Sequence, residues 1–167
     1  DQKDYAVCFG VEPEIWQKAE DNQYVPEISL TETEIRMPGG HLTISQLIAL
    51  LNTIPMEITF VDVDNINRFF NEGPKDFKRP GMAIDREVFS CHPPKIESTV
   101  RRIIGEFRAG ALDEVPIWMD KNGKCMLVRY MAVRDKEGKY LGTLELVQDM
   151  GFAKEHFQPE KRQEEIW

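Results

Sequence analysis

The chain has 167 residues, with 21 basic against 29 acidic side chains and a formal net charge of −8. Nucleic acid and anionic lipid are therefore not expected as partners, because both would be repelled. No run reaches the apolar length of a membrane span, and three scattered cysteines without motif spacing predict a soluble protein of the reducing cytoplasm.

Residues 1–40 form an acidic, proline-containing region that we interpret as a connector or as part of an upstream region. The chain begins without methionine, so we expect a fragment of a longer protein. Thr43 and Gln46 then match a capping box, in which the threonine side chain accepts from a backbone N–H and the glutamine reaches back. A helix is predicted here that Pro55 stops near Thr53. We assign residues 41–57 to this N-terminal flanking-helix region.

A strand pair and a long helix are predicted next. Residues 58–63 and 68–71 indicate two strands that turn at Asp64-Asn65. The helix follows Pro93-Pro94 and ends before Gly110, because proline fits a first helical turn and glycine fits a left-handed exit. The apolar residues on one stripe of this helix are Ile96, Val100, Ile103, Ile104 and Phe107.

Residues 115–149 carry the strongest pattern, three strand-like runs joined by turns at 120–123 and 135–138. The first turn contains Asn122-Gly123, and both residues tolerate the positive φ of a tight hairpin turn. Residues 125–133 are almost continuously apolar, which predicts an interior strand with both faces covered. The whole region therefore predicts a β-meander.

These elements predict a single α+β domain over residues 58–150, a five-stranded antiparallel sheet with its helices on one face. A charged, helical tail is predicted over residues 151–167. A sheet that curves around short helices tends to enclose a small interior space, and either side chains or a ligand fill such a space.

The strand pair at 59–71 resembles the opening hairpin of a PAS domain, and residues 140–149 resemble its final strand. The likeness covers residues 41–150. It is sharper for one subgroup, the PAS domains that follow a hemerythrin-like helical domain in prokaryotic proteins. The segments similar to that subgroup are residues 42–43, 50–55, 91–95 and 129–135.

The resemblance implies a sensory or interaction module that binds a small ligand or responds to redox state. It implies signalling through dimer or flanking-helix rearrangement and an upstream hemerythrin-like domain in the full-length protein. A homodimer is also predicted, because the flanking helix carries an apolar stripe of Ile44, Leu47, Ile48 and Leu51 and the last two strands have apolar residues on both faces. Haem or a small organic ligand is compatible with the fold. Flavin photochemistry is not expected, because residues 71–77 lack the reactive cysteine of light-sensing PAS domains.

Two other functions stay open at this stage: a purely structural dimerisation domain with a filled interior, and a small enzyme that uses Cys91 and His92. The enzyme is disfavoured, because the chain shows no nucleophile, base and orienting acid at recognisable spacing. We therefore expect no catalytic residues.

His92 is the candidate metal ligand, because neutral imidazole commonly binds metals and PAS domains can hold haem. The alternative is that His92 bonds a backbone carbonyl and orders the loop before the long helix, since no second ligand lies at motif spacing. The neighbouring Cys91 is either a redox-sensitive thiol, because a helix start lowers a thiol's pKa, or a packed core cysteine.

Aligning the meander with the PAS resemblance predicts which side chains line the interior. Those expected to point inward are Trp118, Met126, Val128 and Tyr130. Those expected on the other face are Cys125, Leu127, Arg129 and Met131. The inward aromatic rings either wall a ligand pocket or fill the space as ordinary core. The predicted pocket is completed by Phe60, Cys91 and His92.

Overall fold

The structure, a computed structural model, describes residues 33–73, 75–77, 83–92 and 94–158. It contains seven strands, three α-helices and one 3-10 helix within these residues. In chain order they are β1 (Glu34–Met37), β2 (Gly40–Thr43), α1 (Ile44–Thr53), β3 (Glu57–Asp62), β4 (Asn67–Phe70), the 3-10 helix (Val88–Cys91), α2 (Pro94–Ala109), β5 (Glu114–Lys121), β6 (Lys124–Arg134), β7 (Tyr140–Asp149) and α3 (Gly151–His156).

Five strands form one antiparallel sheet in the order β4-β3-β7-β6-β5. The predicted meander is confirmed as β5, β6 and β7, and the predicted first strand pair is confirmed as β3 and β4. The last strand returns to pair with β3, so that Glu57 lies opposite Val147. This pairing makes β7 the central strand, and it brings the start of β3 next to the end of β7.

The two faces of the sheet follow from the alternation of side chains along each strand. We call the side that packs on α2 the inner face, and the opposite side the outer face. The inner face carries Val61, Met126, Val128, Tyr130 and Val147, and the outer face carries Phe60, Trp118, Leu127, Leu144 and Leu146.

Helix α2 covers the inner face with the apolar stripe that the sequence predicts. Val100, Ile103, Ile104 and Phe107 are buried. Ile96 is an exception, because it is 49% exposed in the first turn of the helix. Gly110 follows the helix with φ of +73°, which is the predicted left-handed exit.

Helix α1 begins with the predicted capping box. The Thr43 hydroxyl accepts from the backbone N–H of Gln46 at 3.1 Å, and the Gln46 side chain accepts from the backbone N–H of Thr43 at 2.9 Å. The helix has no buried residue, and Ile48 and Leu50 are 40% and 47% exposed. Ile44, Leu47 and Leu51 are half-buried, so the apolar surface of α1 is partly covered.

A β1–β2 hairpin precedes α1 and was not predicted, since its first strand lies within the region interpreted as a connector. The helical tail is present as the short α3. Residues 1–32 and 159–167 lie outside the described residues. The predictions of a connector over residues 1–40 and of a helical tail over residues 151–167 therefore fall partly on residues that the structure does not describe. Of the helices that are described, none combines the length and apolar character that a membrane span requires.

Candidate ligand-binding face

Three polar side chains stand side by side on the inner face. Thr59 of β3 lies opposite Glu145 of β7, and Glu145 lies opposite Tyr130 of β6. Thr59 is 5% exposed, and the other two residues are half-buried. We call these three residues the polar row. A carboxylate, a phenol and a hydroxyl in register supply both donors and acceptors of hydrogen bonds.

Apolar clusters lie on both sides of the polar row, in the direction of the strands. On one side, Val61 packs with residues of the 3-10 helix and of α2, which are Val88, Phe89, Val100 and Ile104. On the other side, Met126, Val128 and Val147 form a cluster against which Phe77 and Ile117 pack. Tyr130 contacts this cluster and also the one built on Ile103 and Phe107. The row is thus a polar strip between apolar walls, the usual composition of a small-molecule site.

A short segment, residues 75–77, lies against the inner face near Met126. We call it the strap. The Glu57 carboxylate, from the first residue of β3, accepts the backbone N–H groups of Asp76 and Phe77 at 2.5 and 3.1 Å. Asp76 in turn accepts from Lys124 at 2.6 Å, and this hydrogen bond raises the pKa of the Lys124 ammonium. The strap is therefore held by groups of two different strands.

The chain matches the PAS domain family over residues 47–151, which is more than half of its length. The chain belongs to the PAS domain family. It is also similar to the crystal structure of a C-terminal domain from Streptococcus mutans, at 37% identity and a TM-score of 0.71. That likeness covers 74% of this chain and 98% of the other.

Two further solved structures are more distant. A PAS domain from Colwellia psychrerythraea has 15% identity and a TM-score of 0.47, with 64% of this chain and 95% of that chain covered. A sensory box sensor histidine kinase from Vibrio cholerae has 12% identity and a TM-score of 0.44, with 62% and 87% covered. The family membership does not depend on them. No curated protein matches the chain.

Within this PAS domain, Met126, Val128 and Tyr130 lie on the inner face, as the alternation predicted. Trp118 does not. It pairs with Leu127, so both side chains leave the sheet on the outer face, and Trp118 is 65% exposed. Its predicted inward orientation is wrong, because β5 pairs with β6 in a register that turns Ile117 inward instead.

Phe60 also lies on the outer face, although it was predicted to line the pocket. It pairs with Leu144 of β7, and its ring lies close to Gly142 on the same side of the sheet. The neighbouring Val61 is the β3 residue that packs under the 3-10 helix and α2. The prediction that Phe60 lines the pocket is therefore wrong, and Val61 takes its place on the inner face.

His92 makes the backbone hydrogen bond that was expected if the residue orders the loop before α2. Its ring Nδ1 lies 2.9 Å from the carbonyl oxygen of Val88, so that Nδ1 carries the proton when this hydrogen bond forms. Among the residues that the structure describes, no three histidine, cysteine, aspartate or glutamate side chains come together as a metal site. Metal binding by His92 and a redox role for Cys91 stay predictions.

Sequence reasoning missed Thr59, Glu145 and Glu57 as site residues. Thr143, Glu145 and Val147 share one side of β7, and this alternation was a usable signal for Glu145. Its significance depends on the pairing of β7 with β3 and β6, which joins residues far apart in the chain. Glu57 precedes the predicted strand by one residue, so no local pattern placed it on the inner face.

Proposed function

We propose that this PAS domain is a sensory module that takes a small ligand between the inner face of its sheet and the helical layer. The observation that supports the proposal is the polar row on the central strands. An inner face used only for packing is best built from apolar side chains, because burying polar groups costs free energy that hydrogen bonds only offset. Polar groups between apolar walls instead fit recognition of a ligand.

The ligand that fits this face is small and amphipathic. Its polar end bonds to Thr59, Glu145 and Tyr130, and its apolar part extends along the inner face toward the cluster of Met126 and Val128, on which Phe77 packs. The signal leaves through the flanking helices. Helix α1 precedes β3 and α3 follows β7, and these two strands pair with each other. A shift in their pairing therefore moves both helices.

The test is native mass spectrometry and an absorption spectrum of the protein purified without denaturation, followed by thermal-shift screening of small metabolites. We expect a retained or stabilising compound, and we expect Glu145→Gln and Tyr130→Phe to weaken its binding at least tenfold. Glu137→Gln is the matched control, because that carboxylate lies in the exposed β6–β7 turn. A protein that binds no compound would overturn the proposal, and so would binding unaffected by both row substitutions.

We further propose that the module is a homodimer that associates through its outer face. Apolar side chains cover much of this face, and Trp118 is 65% exposed there. Exposed apolar patches of this kind commonly mark interaction sites. Placement of the domain after a hemerythrin-like domain stays a prediction of the sequence resemblance.

A further inference from the structure

The strap is anchored from inside the domain as well as by the exposed Lys124. Glu57 is 6% exposed, and one of its carboxylate oxygens accepts two consecutive backbone N–H groups, from Asp76 and Phe77. Hydrogen bonds to an ionised acceptor are roughly twice as strong as neutral ones. The backbone of the strap therefore has a defined position over the start of β3.

The Phe77 side chain contacts both the inner-face cluster and a lysine of β5. Its ring packs on the cluster of Met126, Val128 and Val147. The Lys121 ammonium lies 3.4 Å from the ring centroid, which is cation–π geometry. The ring thus contacts both the inner-face cluster and Lys121 at the end of β5.

The register of the sheet places Phe77 next to the polar row. Glu57, Val147, Val128 and Ile117 form one row across four strands, and Phe77 packs against the cluster that contains Val147 and Val128. The polar row is the neighbouring row on the same face. Residues two apart along a strand are separated by about 6.8 Å. A ligand bonded to the polar row reaches Phe77 once its apolar part extends by a few carbon atoms.

We propose that Phe77 is a specificity-determining residue, which closes the apolar end of the ligand space and so limits the length of ligand that the domain accepts. Glu57 is the positioning residue that holds Phe77 there. The inference rests on the proposed function, since it concerns the same face. It assigns the ligand to short amphipathic molecules, with a hydrogen-bonding group at one end and an apolar portion of restricted length.

The length limit is tested with straight-chain primary alcohols, from butanol to octanol, as probes. Binding is followed by NMR of protein labelled with ¹³C-methyl methionine, using the Met126 signal. We expect saturable shifts with hexanol and octanol in Phe77→Ala that the wild type does not show, and an intermediate length limit in Phe77→Leu. Phe157→Ala is the matched control, because that ring is 68% exposed beyond α3.

The inference is overturned if neither Phe77→Ala nor Phe77→Leu binds an alcohol longer than the longest one that the wild type binds. It is also overturned if none of the three proteins responds to any of the alcohols. The two proposals fail differently. Dependence of binding on Glu145 and Tyr130 reports on the proposed function, whereas the change in accepted length reports on Phe77.

The role of Glu57 is tested without any ligand, by hydrogen exchange. Glu57→Gln keeps the shape of the side chain but removes its charge. We expect exchange at the amides of Asp76 and Phe77 to accelerate about tenfold, because their acceptor is weakened, while exchange at Val147 stays unchanged. Unchanged exchange at both strap amides would show that Glu57 does not position Phe77.

Discussion

Asn71 connects three parts of the backbone through one buried amide. Its Oδ1 accepts the backbone N–H of Ile58 at 2.8 Å. Its Nδ2 donates to the carbonyl oxygens of Leu51 and Met56 at 3.1 and 2.9 Å. The side chain therefore joins the end of α1 and the linker after it to β3. Both the oxygen and the nitrogen of the amide form hydrogen bonds. Only a side chain that has an acceptor and a donor at these two positions therefore fits here.

Substituting Asn71 with aspartate should unfold the domain more easily, although the two side chains have nearly the same shape. The donor becomes an oxygen that faces two carbonyl oxygens inside the protein. We expect a loss of about 3 kcal/mol in the free energy of unfolding, measured with urea. Asn52→Ala is the control, because its exposed hydrogen bonds to Glu72 should be worth under about 1 kcal/mol. Equal losses for the two variants would contradict this account.

Asp62 makes the stability of the β3–β4 turn dependent on pH. Burial raises its pKa, but the hydrogen bond from Arg68 and those from the backbone N–H groups of Ile66 and Asp64 outweigh it, so the pKa lies below its usual value. A carboxylate with a lowered pKa stabilises the fold above its unfolded pKa of about 3.9. That contribution is lost as the pH falls through the folded pKa.

We therefore expect Asp62→Asn to melt below the wild type at pH 7, with the difference shrinking under about pH 4 and vanishing in stronger acid. Thermal melts followed by circular dichroism across this range measure it. Asp85→Asn is the matched control, since Asp85 bonds the same Arg68 side chain from a more exposed position. A difference between Asp62→Asn and wild type that persists unchanged at pH 2 would count against the electrostatic explanation.

At the scale of elements, the helices and tight turns could be predicted because their signals are local. The capping box at Thr43 fixes the start of α1, and Pro94 and Gly110 mark the limits of α2. Asn122 and Gly123 both adopt positive φ in the β5–β6 turn, as their residue types require. Each of these features depends on a few neighbouring residues and not on the rest of the fold.

The prediction of which sheet face each side chain occupies was less successful, and the reasons differ between Trp118 and Phe60. The Asn122-Gly123 turn places Lys121 opposite Lys124, and this register already puts Trp118 beside Leu127. The information was therefore present for Trp118. It was absent for Phe60, because β3 has apolar residues on both of its faces. The polar row depends on the pairing of strands that are far apart in the chain, so no local motif predicted it. The β1–β2 hairpin had a local signal that was missed, the Pro38-Gly39 turn between Met37 and Gly40.

The β3–β7 pairing contains a close approach that only glycine permits. A Cβ on Gly142 would lie 2.3 Å from the backbone oxygen of Val61 and 2.8 Å from the ring of Phe60. Gly142→Ala should therefore push the two strands apart, and we expect it to cost about 1–3 kcal/mol of unfolding free energy in urea titrations.

The matched control for this prediction is Gly105→Ala in α2. Apart from the backbone of the helix itself and the neighbouring residues, no atom lies within 4 Å of a Cβ built there, and the position is exposed. Alanine should stabilise the helix by about 0.5–1 kcal/mol, because it loses less backbone freedom on folding than glycine. A Gly142→Ala protein as stable as the wild type would show that the strands do not approach this closely.

At the scale of the whole molecule, the exposed Trp118 on the apolar outer face predicts association. We expect the protein to sediment as a dimer at micromolar concentration, and Trp118→Lys to weaken the dimer at least about tenfold by placing a charge on the apolar face. Sedimentation velocity over a dilution series measures this. Leu112→Lys is the control, because it introduces the same charge at an exposed apolar residue between α2 and β5. A wild type that remains monomeric at high concentration would contradict the prediction.

The adjacency of the start of β3 and the end of β7 also sets how the domain responds to mechanical load. Tension applied through α1 and α3 would act on neighbouring ends of one antiparallel pair, from Glu57 and Val147 inward. The interstrand bonds would then open one after another, like a zipper, instead of resisting together in shear. Pulled by its two flanking helices, the domain should yield at low force, beginning where the strap is anchored.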